Sequence, residues 1–315
     1  MPAIEVKNLE KTYVERSWNI FSKNRVKKTR AIKGIDFDVK EGEMFGIIGP
    51  NGAGKTTLIN LLSGLVYRDA GDIKIKGRDI QKERVSIAEN MNVATAYSGL
   101  NDRLTLEENL KVFGRLYNVD NIDEKIDELL SLFEIERLRD KTIIKYSTGQ
   151  KTRANICKGL INDPEVLLLD EITAGLDPHI ADVTRKTIKK INRERNTTIL
   201  ITSHNMRDID ELSERMMFLH KGDILRIGTP REIKKDIHTK VLNITFDRAS
   251  EDIRKIVKNI GGKLEDSTAQ FLVNEEKDIK ETLDKFDDFE DQIIDIETKK
   301  PDLEEVFKKV ARGEV

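Results

Sequence analysis

The stretch GPNGAGKTT, residues 49–57, decides the fold of this chain. The residues before it, EMFGIIG, form an apolar, β-rich run that is typical of a buried strand. The residues after it, TTLINLLSGL, carry leucines at helical spacing: Leu58, Leu61, Leu62 and Leu65. A strand, a glycine-rich loop and a helix in this order predict an α/β fold.

Within this stretch, the spacing of two glycines, a lysine and a threonine matches the P-loop pattern. The backbone N–H groups of such a loop surround a β-phosphate, the lysine meets the β- and γ-oxygens, and the hydroxyl binds Mg²⁺. We therefore predict a nucleoside triphosphate site formed by Gly49, Asn51, Gly52, Gly54, Lys55, Thr56 and Thr57.

A pair of carboxylates ends the apolar run VLLLDE, residues 166–171. Asp170 can hold Mg²⁺ through water, and Glu171 can polarise an attacking water molecule. A guanine nucleotide is disfavoured because the sequence has no Asn-Lys dipeptide from which a guanine-reading NKxD motif could be made. We predict ATP as the nucleotide, Thr56 and Asp170 as metal ligands, and Glu171 as the catalytic base.

The composition restricts the classes of protein to which the chain can belong. Its 315 residues, 38% hydrophobic and 36% charged, predict roughly two domains with real cores. A formal net charge of −2 provides no overall field for nucleic acid, and we expect no nucleic-acid partner. No apolar run approaches the roughly 20 residues of a membrane span, and the start MPAIEVKNLEK is too charged for a signal peptide. The single cysteine, Cys157, is expected to be buried and inert.

The apolar patterns predict two domains, at 1–238 and 239–315. In the first, VLLLD and TTILITS are typical of central parallel strands, and RMMFLHKGDILRIGTP is typical of a hairpin that turns at residues 221–223. Residues 100–162 are predicted to form a helical subdomain.

The tail after residue 240 follows the order βαββαβ, which predicts a small α+β domain of ferredoxin-like pattern. Residues 241–315 contain 20 Asp and Glu against 13 Lys and Arg, which disfavours nucleic-acid binding there. The last stretch, PDLEEVFKKVARG, begins with proline and predicts a final helix.

A second polar loop, KYSTGQKTRA at residues 145–154, contains glycine and opens a predicted helix. Helix N-termini favour anions because they present unpaired N–H groups and a positive dipole end. The chain therefore carries two candidate phosphate cradles.

Five motifs in this order and at these separations resemble the nucleotide-binding subunit of an ATP-binding cassette (ABC) transporter: GPNGAGKTT, YSTGQ, VLLLDE, TAGLDP and ITSHN. The resemblance covers about residues 3–235 and implies a P-loop NTPase core with a helical signature subdomain. YSTGQ resembles the signature motif, usually LSGGQ, with Tyr146 and Thr148 substituted. In this family two subunits pair head to tail, and each signature caps the γ-phosphate held by the other. That arrangement would explain two cradles in one chain.

The resemblance also implies residue roles. Catalysis would rest on Glu171, on Lys55, and on His204, which would touch the γ-phosphate and support Glu171. Further nucleotide contacts would come from an adenine-stacking aromatic, three signature residues and an acid between the two sites: Tyr13, Ser147, Gly149, Gln150 and Asp177. From the residues alone, an Asp-Pro turn, a solvated glutamine and a hydrogen-bonded structural histidine remain open alternatives.

Two segments depart from the family pattern. The family places a glutamine near Ala96 that touches Mg²⁺, but no glutamine lies between Gln81 and Gln150; Ser98, Asn101 or water are the candidate substitutes. Residues 15–30 carry six Lys or Arg around WNIF, which predicts either a solvated hairpin extension or a segment that docks on the membrane.

The final stretch KPDLEEVFKKV resembles the C-terminal extension of ABC-2 type exporters. We expect an ATP-hydrolysing subunit at the cytoplasmic face of the cell membrane, acting as a homodimer or with a paired ABC subunit. It would drive a separate integral membrane permease that exports a drug, lipid or polysaccharide. The alternatives are an importer subunit with a regulatory C-terminal domain and a soluble ABC ATPase acting on nucleic acid or ribosomes.

Overall fold

The computed structural model describes residues 1–16, 26–95, 99–235, 240–273 and 276–299. Among the helices of these ranges, none has the length and the apolar composition of a membrane span.

The contacts within the chain define two units, Met1–Pro230 and Arg231–Val315. The domain boundary that we predict from the sequence, between residues 238 and 239, lies eight residues after this division and stays a prediction.

The first unit is built from strands and helices that alternate through much of its length. Its strands are β1 (Pro2–Arg16), β2 (Val26–Lys40), β3 (Met44–Ile48), β4 (Ala70–Ile75), β5 (Arg78–Asp79), β6 (Met91–Thr95), β7 (Val166–Asp170), β8 (Thr198–Ser203), β9 (Arg215–His220) and β10 (Asp223–Gly228). Its helices are α1 (Lys55–Leu62), α2 (Arg84–Ala88), α3 (Leu106–Leu116), α4 (Ile122–Leu132), α5 (Thr148–Gly159), α6 (Pro178–Arg195) and α7 (Met206–Leu212). A further helix, α8 (Pro230–Lys235), begins at the division.

A six-stranded sheet in the order β10-β9-β3-β8-β7-β6 positions the site. Every pairing in it is parallel except that of β10 with β9. All residues of β3, β7 and β8 are buried, as expected of parallel strands that are covered on both faces. The carboxyl ends of these three strands meet at one edge, where ligands bind in open α/β sheets.

A second sheet, in the order β2-β1-β4-β5, is antiparallel. Its apolar side chains share one core with α1 and the central strands. Leu58 and Leu62 of α1 are fully buried in that core, and each such side chain stabilises the fold by about 1.5–3 kcal/mol. The prediction for Leu65 was wrong: α1 ends at Leu62 with Ser63 as its C-cap, so Leu65 lies beyond the helix and is 65% exposed.

The helical segment agrees with its sequence pattern. Thr105 and Glu108 form a capping box at the start of α3, which fixes where this helix begins. The apolar side chains of α4 recur at helical spacing; Ile126, Leu129 and Leu130 are buried, and Ile122 is half-buried. Cys157 on α5 is buried, and burial raises the pKa of its thiol, which favours the unreactive protonated form.

The hairpin of β9 and β10 turns where the sequence predicts. Lys221 and Gly222 have φ angles of +49° and +87°, the left-handed pair that a two-residue hairpin turn requires. The turn brings Gly222 to the P-loop, because its N–H donates to the carbonyl oxygen of Ala53 at 2.8 Å.

The second unit has its own sheet and core. Its elements, in the predicted order, are β11 (Lys240–Phe246), α9 (Glu251–Asn259), β12 (Lys263–Glu265), β13 (Thr268–Val273), α10 (Glu276–Leu283) and β14 (Ile293–Lys299). The sheet is antiparallel, with the order β12-β13-β11-β14. Ile244, Phe246, Phe271 and Phe286 are buried in one apolar cluster. The helix predicted from Pro301 lies outside the described residues.

Candidate nucleotide site

The P-loop connects β3 to α1, as the sequence predicts. Gly49 is required by close packing, because a Cβ atom there would lie 2.2 Å from the carbonyl oxygen of Leu219. Lys55 begins α1, is 6% exposed, and donates from Nζ to the carbonyl oxygen of Gly49 at 2.6 Å. The loop thus folds around the side chain of Lys55. The backbone N–H groups at the N-terminus of α1 remain open to an anion.

A cavity of about 890 Å³ lies over this loop. Most of the predicted site residues line it: Tyr13, Asn51, Gly52, Gly54, Lys55, Thr56, Thr57, Glu171 and His204. The cavity joins the P-loop, the end of β7 and the residue after β8 in one space that is large enough for a nucleotide.

Asp170 ends β7 beside the P-loop. It is 9% exposed and accepts a hydrogen bond from the hydroxyl of Thr202 on the neighbouring strand. Burial is the main cause that raises the pKa of Asp170, with Glu171 adding to the shift, while the Thr202 and Thr56 hydroxyls and the charge of Lys55 act against it. A bound cation beside this carboxylate would favour its charged form.

The predicted metal ligands lie close together, since the Thr56 hydroxyl is near enough to Asp170 to act on the pKa of its carboxyl group. Within the described residues, no group of three or more His, Cys, Asp or Glu could hold a metal. One carboxylate and one hydroxyl fit Mg²⁺, which keeps several waters and takes its other ligands from nucleotide phosphates. Thr56 and Asp170 would hold such an ion, which would neutralise phosphate charge.

Glu171 joins the P-loop to His204. Its Oε1 lies 3.1 Å from Lys55 Nζ, and its Oε2 lies 2.5 Å from His204 Nδ1. Glu171 has a φ of +54°, an uncommon backbone conformation for this residue, and its N–H donates to the carbonyl oxygen of Thr202 at 3.1 Å. A carboxylate held between a lysine and a histidine at the cavity wall is suited to accept a proton from water.

The signature loop is not part of this cavity. Ser147 caps the N-terminus of α5: its hydroxyl accepts from the N–H of Gln150, and Gln150 Oε1 accepts from the N–H of Ser147 at 3.1 Å. Gly149 lies against α6, because a Cβ atom there would be 3.3 Å from Ile180 Cγ2. The chain therefore does not bring Ser147, Gly149 and Gln150 to its own P-loop cavity.

The two substituted signature positions have different environments. Tyr146 is 7% exposed and donates from its hydroxyl to the carbonyl oxygen of Leu138 at 2.6 Å, and burial raises its pKa. Thr148 is exposed at the first position of α5. Tyr146 is thus a packing residue of the helical segment, and Thr148 is the substituted position that a ligand could reach.

Asp177 caps α6, with its carboxylate accepting from the N–H of Ile180 at 2.9 Å and Pro178 at the first helical position. The Asp-Pro pair is therefore a helix start and not the turn that the sequence left open as an alternative, and Asp177 does not line the cavity. The role predicted for it between two sites stays a prediction.

Tyr13 is 38% exposed on β1 at the cavity wall, with Lys11 Nζ 5.7 Å from the centre of its ring. Several other lining residues could not be predicted from the sequence, among them Lys28, Thr29, Arg30 and Lys221. Of these four, the first three belong to the basic segment 15–30, for which the sequence predicts solvation or membrane docking and whose residues 17–25 lie outside the described residues. Only the pairing of β1 with β2 places this basic stretch beside Tyr13.

Ala96 and Ser98, the positions at which the sequence analysis considers the absent glutamine and a substitute for it, lie outside the described residues. Asn101 does not line the cavity. Its side-chain oxygen accepts from the N–H of Arg103 at 3.0 Å, and its own N–H donates to Asn109 Oδ1 at 2.7 Å. Asn101 therefore serves a local turn.

Comparison with known proteins agrees with this geometry. The family model described as "ABC transporter" matches residues 32–174. The linearmycin resistance ATP-binding protein LnrL of Bacillus subtilis is 37% identical over 65% of this chain and 67% of its own length. The Nod factor export ATP-binding protein I of Rhizobium sp. strain N33 is 34% identical over 68% of this chain and 71% of its own length.

The fold is also found among solved structures. The ATP-binding cassette MJ0796, in a dimeric post-hydrolysis state bound to ADP and Pi, has a TM-score of 0.63 and 24% identity, over 72% of this chain and 98% of its own. Its motifs, its P-loop cavity and these relatives together show that the chain belongs to the ABC transporter family and is one of its ATP-hydrolysing subunits.

Proposed function

We propose that the chain drives a separate membrane permease by hydrolysing ATP, in the direction of export, with a drug, lipid or polysaccharide as cargo. The relatives that are named for linearmycin resistance and for Nod factor export support the direction. The observation that carries the catalytic part is the contact of Glu171 with both Lys55 and His204 at the P-loop.

In this mechanism Lys55 neutralises the β- and γ-phosphate oxygens of ATP, and Glu171 orients the attacking water and accepts its proton. His204 holds one oxygen of Glu171 through Nδ1 and faces the cavity with a side chain that is 55% exposed. Thr56 and Asp170 would hold Mg²⁺. Tyr13 offers its ring face to the adenine.

In this proposal the signature loop, which is the second phosphate cradle of the chain, acts in a dimer. Ser147, Gly149 and Gln150 lie outside the chain's own cavity, which supports a role at the γ-phosphate of a paired subunit, as in the family pattern. Such a pair would bind at the cytoplasmic face of the cell membrane through its permease.

Co-expression with a candidate permease, such as a polytopic membrane protein found encoded beside the gene, tests the proposal. We expect the two to co-purify, and inverted vesicles containing both to accumulate cargo with ATP but not when Glu171→Gln replaces the wild type. Uptake in the opposite direction would favour the importer alternative. Co-purification with ribosomes or nucleic acid in place of a membrane protein would favour the soluble one.

A further inference from the structure

A buried carboxylate outside the predicted site connects the loops that carry the base and its histidine. Asp208, in the first turn of α7, is 1% exposed. Its Oδ1 accepts from Arg185 Nη1 at 2.8 Å, and its Oδ2 accepts from the hydroxyls of Thr173 and of Ser203, the latter at 3.1 Å. A carboxylate with hydrogen bonds to both oxygens is held in one orientation.

The two hydroxyl donors lie beside the catalytic groups in the chain. Thr173 follows Glu171 by two residues, and Ser203 directly precedes His204. A single oxygen of Asp208 therefore connects the loop after β7 to the end of β8. The same two chain segments carry Glu171 and His204, which contact each other directly, and Glu171 has an uncommon φ of +54°.

Arg185 holds the carboxylate of Asp208 in place. It is 3% exposed on α6, and besides Asp208 its guanidinium reaches Glu211 at 2.8 Å. Buried ion pairs add little net stability because desolvation offsets their attraction, but their geometry is well defined. The pair is therefore better suited to fixing a position than to stabilising the fold.

We propose that Asp208 is a positioning residue for ATP hydrolysis, which holds Glu171 and His204 in register through the hydroxyls of Thr173 and Ser203. The inference rests on the proposed role of Glu171 as the base. Asp208 itself does not line the cavity, so it acts through these neighbours and not on the nucleotide. A displacement of about 1 Å at a reacting group can slow a reaction by about 10²-fold, so a loosened connection should be visible in turnover.

The test removes one hydroxyl and leaves the buried ion pair intact. Thr173→Val preserves the shape of the side chain and loses only the donor to Asp208, and Thr173→Ser is the matched variant that retains it. In the full-length protein we expect Thr173→Val to lower kcat for ATP by about 10-fold or more, with KM for ATP changed by less than about 3-fold. Thr173→Ser should retain a rate close to that of the wild type, and Ser203→Ala should repeat the loss from the other loop.

A combination with Glu171→Gln separates positioning from a general effect on the fold. If Thr173 acts through Glu171, Thr173→Val should cause little further loss in the Glu171→Gln background, since coupled residues are not additive. The same fold-loss in both backgrounds, or a Thr173→Val rate equal to that of the wild type, would overturn the inference. If the Thr173→Val protein does not fold, the turnover of Ser203→Ala is measured in the wild-type and Glu171→Gln backgrounds instead, and the same outcomes decide. If Glu171→Gln hydrolyses ATP as fast as the wild type, Glu171 is not the base, and this inference falls with that role.

Discussion

Gly52 offers a test of the P-loop in which backbone strain and ligand contact can be separated. Its φ is +81°, and a Cβ atom built there meets nothing within 4 Å. Gly77, in the turn between β4 and β5, has a φ of +80° and equally open surroundings. Gly52 lines the nucleotide cavity and Gly77 does not. Alanine at the two positions therefore introduces the same strain at different distances from the ligand.

The expected stability loss follows from the backbone angle. A non-glycine residue in the left-handed region costs about 1–2 kcal/mol, and the lower entropy of the unfolded alanine chain returns about 0.4–1 kcal/mol. Each variant should thus lose about 1 kcal/mol, or about 2–4 °C in melting temperature. Only Gly52→Ala places a methyl group in the phosphate cradle, and we expect its Kd for ATP to rise at least 10-fold, which is about 1.4 kcal/mol.

Thermal unfolding and ATP titration of both variants provide the measurement. Equal melting temperatures with weakened binding in Gly52→Ala alone would support the cradle as described. If Gly52→Ala and Gly77→Ala bind ATP equally well, the phosphates do not lie against Gly52, and our reading of the cavity is wrong.

Three further outcomes are expected. Glu171→Gln should retain ATP binding while turnover falls by roughly 10² to 10⁴, since the base is lost while the P-loop and Lys55 that bind the nucleotide remain; near-normal turnover would exclude Glu171 from that role. A mixed dimer of one Lys55→Ala and one Gly149→Asp subunit, with Glu171→Gln in both and a different affinity tag on each, should occlude about one ATP, because a signature acting in trans gathers both lesions in one site. Correctly formed mixed dimers without occluded nucleotide would contradict that arrangement. Deletion of residues 241–315 should leave a folded, ATP-binding cassette, since the second unit has its own core; an insoluble product would show that the tail is not independent.

Much of this fold can be predicted from short-range patterns in the sequence. The glycine loop after a buried strand and the apolar runs of β7 and β8 predict parallel strands whose carboxyl ends share an edge, and the structure has them there. Leu65 shows the limit of periodicity, since spacing indicates a helical face but not where the helix ends.

The features that could not be predicted depend on contacts between residues that are far apart in the sequence. Asp208 looks like one more charge on a short helix, because two of its three partners lie 35 and 23 residues earlier, at Thr173 and Arg185. Lys221 reaches the cavity only because a hairpin turn packs beside β2. Local pattern cannot supply such neighbours.

The contact between Lys55 and Glu171 has a consequence for a protein that must empty and refill its site in every cycle. An ammonium group that is 6% exposed cannot be left without a counter-ion, because stranding a buried charge costs about 3–5 kcal/mol. Glu171 provides a resident counter-ion, so ATP arrives by exchanging partners with it, and the departure of products returns the lysine to it. We expect this exchange to keep the emptied cassette as well folded as the loaded one.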